Sequence, residues 1–342
     1  MSSPSSSSSP SKASAAKNQR VLWIDYAKGI GIFLVVIGHT LRGMVSAGIV
    51  RDEGMVRWVD EWIYAFHMPL FFFLSGLFIE RSVTRPYRSV LLNKLETIAY
   101  PYFVWSILQE MVRRGTGVSP EPLTSIWKIV YDPVMQFWFL YVLFALSVLY
   151  VGLRKLGVSM GVFFVGFLAA YVATGLGVNL GSWGVVYMLI VNALYFAAGA
   201  LVSRAGSLSI FESASSRVLI STAVMLLAWI VAAVALGVVH VKALVPILAF
   251  IGIAASIQIA MVVSRTGSAA FFHGWGVLSL EIFVAHTIFS AAIRVVLLRL
   301  LHVTDPSVHF VAGVVAGIAG PLVLVAACRR VGAMRLFTLR PT

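Results

Sequence analysis

Charge is what this sequence has least of. Only 11% of its 342 residues are Asp, Glu, Lys or Arg, against about 25% in an ordinary soluble domain. Acidic residues are the scarcer half, 13 against 26 Lys and Arg. So little charge excludes a soluble globular enzyme. Cysteine is nearly absent: Cys328 stands alone. That excludes a disulfide framework, and a single Cys near the end of an apolar run reads as a small packed residue. No spacing suits a metal. No Gly-Lys-Ser/Thr follows Gly29-Ile30-Gly31, so this is no phosphate-binding loop. There is no nucleophile elbow, and no His is followed at the fifth position by Asp. The net charge of +13 would suggest nucleic acid in a soluble chain. Here the basic residues fall in short loops between apolar runs, which is a topology signal instead, and no nucleic acid is expected.

What is present is hydrophobic. Apolar residues make up 60% of the chain, and the mean hydropathy is +0.93. Ten stretches approach the ~20 residues a membrane span requires. They are 22–43, 58–79, 96–112, 134–153, 158–177, 182–202, 218–239, 243–263, 277–300 and 308–328. The fold class is therefore all-α, a polytopic integral membrane protein of about ten transmembrane helices embedded in lipid. No small-residue cleavage site follows the first run, so that span is expected to stay uncleaved. Residues 1–20, rich in Ser, read as a disordered cytoplasmic tail, and 331–342 as a short basic tail. With the N-terminus inside, Lys and Arg divide sixteen on the inner side against nine on the outer, with Lys28 left within the membrane. That bias places both termini in the cytoplasm. Segments 218–239 and 243–263 carry no charge, and 158–177 is as plain. These three read as scaffold against lipid and neighbours.

The polar residues concentrate elsewhere. Lys28 and His39 lie eleven residues apart in the first span. Eleven residues is close to three turns, so both project from one face, separated by roughly 16 Å. Ionisable groups inside a span are functional candidates. His39 suits a general base, since imidazole titrates near neutrality; the bland reading is a His bonded between helices. Asp25, three residues before Lys28, can pair with it. That pair either anchors the helix or holds a cation ready for an anionic ligand, with Gly29 and Gly31 leaving room beside it. His67 sits in Phe66-His67-Met68-Pro69, where Pro69 frees a carbonyl one turn back and kinks the helix. His67 either bonds that carbonyl or shares a site with His39. Ser75-Gly76 reads as a close-packing element. Glu281 and His286 do not share a helix face. Glu281 is expected to meet an inner cation such as Lys94, and His286 is a third candidate for the site. Tyr102 and Trp138 are interfacial aromatics or a sugar platform. Intramembrane His and Glu also suit a proton-coupled exporter or flippase of a small molecule or lipid-linked sugar, although no inverted repeat is visible.

These residues resemble a family. Asp25-x2-Lys28-Gly29-x9-His39 is similar to the first-span signature of the membrane acyltransferase 3 family. Phe66-His67-Met68-Pro69-Leu70-Phe71-Phe72-Phe73-Leu74-Ser75-Gly76 resembles its second-span motif, in the form of the fucose 4-O-acetylase-like branch. Lys94 with Pro101-Tyr102, Phe137-Trp138-Phe139-Leu140, and Ser279 to His286 resemble later motifs, with Leu280-Glu281 departing from the pattern. The resemblance covers about 20–335 and assigns 21–330 to one transmembrane acyltransferase domain. It implies a bacterial inner-membrane enzyme moving an acetyl group from cytoplasmic acetyl-CoA to a hydroxyl of an extracytoplasmic glycan or glycolipid, without a metal. His39 would then be the base, with His67 orienting and Asp25 supporting. Lys28, Arg85, Arg88 and Lys94 would meet the CoA phosphates. Trp138, Tyr102, His286 and Glu281 would face the acceptor. Donor, carbohydrate acceptor and membrane lipid are the expected partners, and a homo-oligomer is compatible with all of this.

Overall fold

A lipid-embedded backbone must satisfy its own polar groups, and a helix does so within one segment. The computed structural model describes residues 12–50, 53–115, 123–205 and 213–339. Every regular element among them is helical, with no strand. Helix α1 (Lys12–Ser46) is followed by α2 (Glu53–Tyr64), α3 (His67–Val83), α4 (Tyr87–Lys94) and α5 (Tyr100–Gly115). Then come α6 (Trp138–Lys155), α7 (Met160–Gly175), α8 (Gly184–Ala205), α9 (Ser216–Ala235) and α10 (Val245–Thr266). The short α11 (Ala270–Val277), α12 (Ser279–Val295) and α13 (Pro306–Arg330) complete the bundle.

Eight helical segments among the described residues are long and apolar enough to cross a membrane. The other two expected spans differ. One is α7, apolar but only 16 residues long. The other is α4–α5, where a π-helical turn at Leu95–Ala99 joins the two helices and Lys94, Glu96 and Glu110 interrupt the apolar pattern. The α1 helix begins at Lys12, within the segment expected to be a tail; residues 1–11 lie outside the described residues, as do 116–122 of the expected outer loop. The 331–339 segment is docked: Tyr100 donates to the Arg335 carbonyl at 2.7 Å, and Trp105 to the Leu336 carbonyl at 3.0 Å.

The α1 helix is the hub. It packs on α2, α3, α10, α11, α12 and α13. The apolar α7 and α9 lie outside, with much of their surface exposed, α9 carrying charge only at Arg217 in its first turn. The α10 helix, expected to be of the same kind, is interior. It lies between α1 and α3, and Ala249, Ala255 and Ala260 are fully buried. Absence of charge therefore marks both lipid-facing and core helices here. Small residues set the closest crossings. A Cβ on Gly76 would overlap the Phe196 carbonyl of α8, and one on Gly199 the Phe73 carbonyl of α3.

Candidate functional site

The α2–α3 break supplies the first histidine. Phe66 leaves the helical path at φ −142°, and Pro69 falls in the first turn of α3, where its missing N–H costs nothing. The expected kink is thus a full break. His67 begins the new helix, and its Nδ1 lies 2.8 Å from the Ile63 carbonyl. A carbonyl only accepts, so Nδ1 carries the proton and Nε2 the lone pair. His286 repeats this arrangement on α12, with Nδ1 at 2.7 Å from the Phe283 carbonyl and 3.1 Å from that of Ile282. Both rings are 0% exposed, and neither Nε2 has a hydrogen-bond partner among the described residues.

His39 stands between them and keeps some exposure. Its ring centroid is 5.1 Å from that of His286 and 6.4 Å from that of Tyr64. Tyr64 in turn meets His67 edge-on at 4.4 Å. Four rings thus run His286, His39, Tyr64, His67. Arg42 caps them, its guanidinium 3.4 Å from the Tyr64 ring centre. Its Nε and Nη2 hold Asp60 at 2.8 and 2.9 Å, a bidentate pair that fixes the cation. The sequence reading missed Tyr64 and Arg42. Arg42 is one turn beyond His39 on the same face, so extending the Lys28–His39 stripe would have found it.

A turn beyond His39 in the other direction the stripe continues through Val35 and Ile32 to Lys28. Lys28 pairs with Asp25 at 3.2 Å, as the spacing predicts. His273 of α11 joins them, Nε2 at 3.9 Å from Asp25; no motif drew attention to it. The glycine beside Lys28 does not leave the expected open space. A Cβ on Gly29 would overlap the Phe272 carbonyl, and one on Gly276 would overlap that of Asp25, so α11 lies backbone to backbone on α1. The room beside Gly31 is taken by the Phe71 ring, 3.0 Å from a Cβ there.

A cavity of about 290 Å³ opens next to Lys28. Lys28, Lys94 and Ser279 line it together with Ile32, Phe71, Phe139 and Phe283. Ile32 and Phe283 stand one turn further along their helices than Lys28 and Ser279, so the cations mark one end and the rings the other. Two cations therefore face one apolar channel. Phe283 is one turn before His286, with ring centroids 6.1 Å apart. The cavity thus ends one aromatic ring away from the histidines. A slender, anion-tailed molecule fits such a space; a nucleotide head would have to stay outside.

The remaining candidates lie apart. Arg85, on the α3–α4 connection, and Arg88, in the first turn of α4, are exposed. Glu281 does not pair with Lys94. The cation that bears on it electrostatically is Arg329 of α13, without an ion pair, and Glu281 is not among the residues that line the cavity. Tyr102 is 2% exposed, its hydroxyl is bound by the Ile129 carbonyl, and its ring packs on Tyr141 at 5.5 Å. Trp138 stacks on Phe72 at 6.2 Å. Neither ring belongs to the histidine row. Beside His286, Thr287 donates to Gln109 at 3.0 Å and accepts from Gln136 at 2.9 Å. Among the described residues no group of three His, Cys, Asp or Glu is placed to hold a metal ion.

Comparison with known proteins fits this arrangement. Residues 21–326 match the family model described as an acyltransferase domain, that of acyltransferase 3. The chain is also similar to the nodulation protein NolL of Mesorhizobium japonicum, 28% identical over 132 residues, which is 38% of this chain and 35% of that protein. NolL of Sinorhizobium fredii is 28% identical over 134 residues, 39% of this chain and 36% of that one. These matches span only about a third of the relatives' length. No solved structure matches. With the family model covering nearly the whole bundle of membrane-length helices, the chain belongs to the acyltransferase 3 family.

Proposed function

We propose that this acyltransferase moves an acetyl group from acetyl-CoA, taken up on the Lys28 side, to a hydroxyl of a glycan or glycolipid on the His39 side. The observation that carries this reading is the cavity with Lys28 and Lys94 at one end and Phe283, next to the histidine row, at the other. Attack of a hydroxyl on a thioester needs a base, stabilisation of the charge growing on the thioester oxygen, and exclusion of water. His39 is the base. It is the one histidine of the row that retains exposure, so an acceptor can reach it. It takes the hydroxyl proton as the new C–O bond forms; the C–S bond breaks, CoA leaves as the thiolate towards the Lys28 side and is protonated there by solvent, and His39 gives its proton to water on its own exposed side.

His286 and His67 hold the row in register. Each ring is tied to a backbone carbonyl through Nδ1, leaving an Nε2 lone pair inside the bundle. Tyr64 and Arg42 offer an O–H and a fixed positive charge nearby. Lys28, steadied by Asp25, and Lys94 meet the anionic part of the donor, with Arg85 and Arg88 next along the same side. Acetyl-CoA supplies an activated acyl group, and the 290 Å³ space suits its narrow arm. With both termini in the cytoplasm of a bacterial inner membrane, the donor enters from inside and the acceptor from outside.

The test has two parts. Surface glycans from cells with and without the gene are compared by mass spectrometry for O-acetyl groups. The purified protein in proteoliposomes is then given labelled acetyl-CoA on one side only. Acetylated glycan that depends on the gene, and label transferred only from the Lys28 side, are expected. Glycans identical in both strains, with no label leaving CoA, would overturn the reading.

A further inference from the structure

One cation beyond the histidine row is used by nothing described so far. On the His39 side, Arg42 pairs with Asp60, Arg57 with Glu61, and Arg113 and Arg114 with Glu110. Arg294 of α12 is half-buried, and no carboxylate lies within 4.0 Å of it among the described residues. Arg299 also lacks one but is exposed to solvent. A half-buried cation without a partner is costly.

Its position is informative. A Cβ on Gly43 would overlap Nη1 of Arg294 and lie 3.1 Å from its Cζ. The guanidinium therefore rests in the notch that Gly43 leaves in α1. Gly43 is four residues past His39, about 6 Å along the axis, whereas Arg294 is eight residues past His286, about 12 Å. The side chain thus reaches back towards the histidines, as long helical side chains do. Seven residues separate Arg294 from Thr287, so the two share a stripe of α12. Thr287 is the centre of the Gln109–Gln136 network. In that network Gln136, 3% exposed, has an Oε1 with no partner among the described residues. A cation and an unsatisfied polar ledge thus share the approach to His39 from the acceptor's side.

We propose that Arg294 binds an anionic group of the acceptor, a carboxylate or a phosphate, close to the hydroxyl that is acylated. The acceptor is then an acidic glycan or a phosphate-linked one, not a neutral sugar. A fork of two N–H donors suits either oxyanion. This inference rests on the acceptor side assigned under Proposed function, but its test does not depend on turnover.

The experiment measures equilibrium binding to wild-type protein in nanodiscs, with three tritiated oligosaccharide probes of equal length. One ends in glucuronic acid, one carries a phosphodiester next to its terminal glucose, and one is neutral. At least one acidic probe should bind about tenfold more tightly than the neutral one, as one charge-assisted bond would give. Which of the two it is identifies the source of the anion. The preference should vanish in Arg294→Gln and largely survive in Arg294→Lys. It should fall in Gly43→Ala, which displaces the guanidinium while keeping the charge. Equal affinity for all three probes, or a preference that survives in Arg294→Gln, would overturn the inference. Tighter acidic binding by a wild-type protein that transfers no acetyl group would support the anion site while sinking the proposed reaction.

Discussion

Substituting Ala for Gly29 tests the reasoning at its most geometric point. The added Cβ would overlap the carbonyl oxygen of Phe272, and it would lie 2.7 Å from the carbonyl carbon and 3.0 Å from Cα. All three atoms are backbone, so no rotamer change relieves the clash. Ordinary contact begins near 3.4 Å, so the carbonyl carbon at 2.7 Å alone demands about 0.7 Å, and the oxygen, which is nearer, forces α1 and α11 to part by more than that. Overpacking of this kind costs about 1–3 kcal/mol, and a gap near 1 Å forfeits up to half of each neighbouring contact's attraction. The function suffers too, because α11 carries His273 away from Asp25, which holds Lys28. Gly31→Ala is the control. Its neighbours are the Phe71 ring atoms at 3.0 Å and Leu70 Cδ2 at 3.4 Å, all side chain. A tilt of a few tenths of an ångström suffices there, but Phe71 lines the cavity. The assay is thermal unfolding of detergent-solubilised protein, with the apparent KM for acetyl-CoA measured alongside. Gly29→Ala should lose stability and raise KM, while Gly31→Ala should raise KM with little loss of stability. A Gly29→Ala protein as stable as wild type, or one more stable than Gly31→Ala, would refute the close crossing.

Three other outcomes are expected. His39→Ala should lower transfer by about 10²–10⁴, the usual contribution of a general base, while the protein still inserts, since His39 makes no hydrogen bond among the described residues that the fold would miss; near-normal glycan acetylation in that strain would remove His39 from the chemistry. Phe283→Ala should let water reach the thioester, so CoA release without acceptor should rise several-fold in a thiol assay, and an unchanged background would mean that Phe283 is no barrier. For orientation, single cysteines at the exposed Ser89 and Ser307, in a Cys328→Ser background, are treated with an impermeant maleimide on spheroplasts. Position 307 should label and position 89 should not; the reverse would put Lys28 on the wrong side for cytoplasmic CoA.

The sequence made legible whatever depends on spacing along one helix. The Lys28–His39 stripe, the Asp25–Lys28 pair and the disturbance at Pro69 are all properties of i, i+3 and i+4 neighbours, and they appear as expected. That His39 and His67 share a site, with His286 as a third candidate, was legible from the sequence, though not as contact. What depends on crossings between helices stayed hidden. Ala270–Val277 carries two glycines, is too short to span and held no motif, yet Gly276 is what lets it lie on α1. Lys94 looked like a partner for Glu281 because both sit near one boundary; the cation that bears on Glu281 is Arg329 instead. Tyr102 and Trp138 looked like a platform because aromatics favour sugars and interfaces alike, and only the structure shows that they stand apart from the histidine row, Tyr102 packed on Tyr141 and Trp138 on Phe72. Tyr64 lies outside the motif that contains His67 and had nothing to mark it.

The aromatic wall at the end of the cavity has an electrical meaning. Phe71 and Phe139 meet at 5.8 Å between ring centroids, and Phe139 and Phe283 at 5.3 Å. A cation-lined cavity on one face and a row of imidazoles towards the other, joined without interruption, would amount to a proton wire. Each proton crossing would dissipate about 2.3 kcal/mol per 100 mV of membrane potential. Three apolar rings holding no exchangeable proton break that wire. A cell could then keep many copies of such a protein in an energised membrane at no cost to its voltage, since in the proposed reaction it is the acyl group, not a proton, that has to cross the gap.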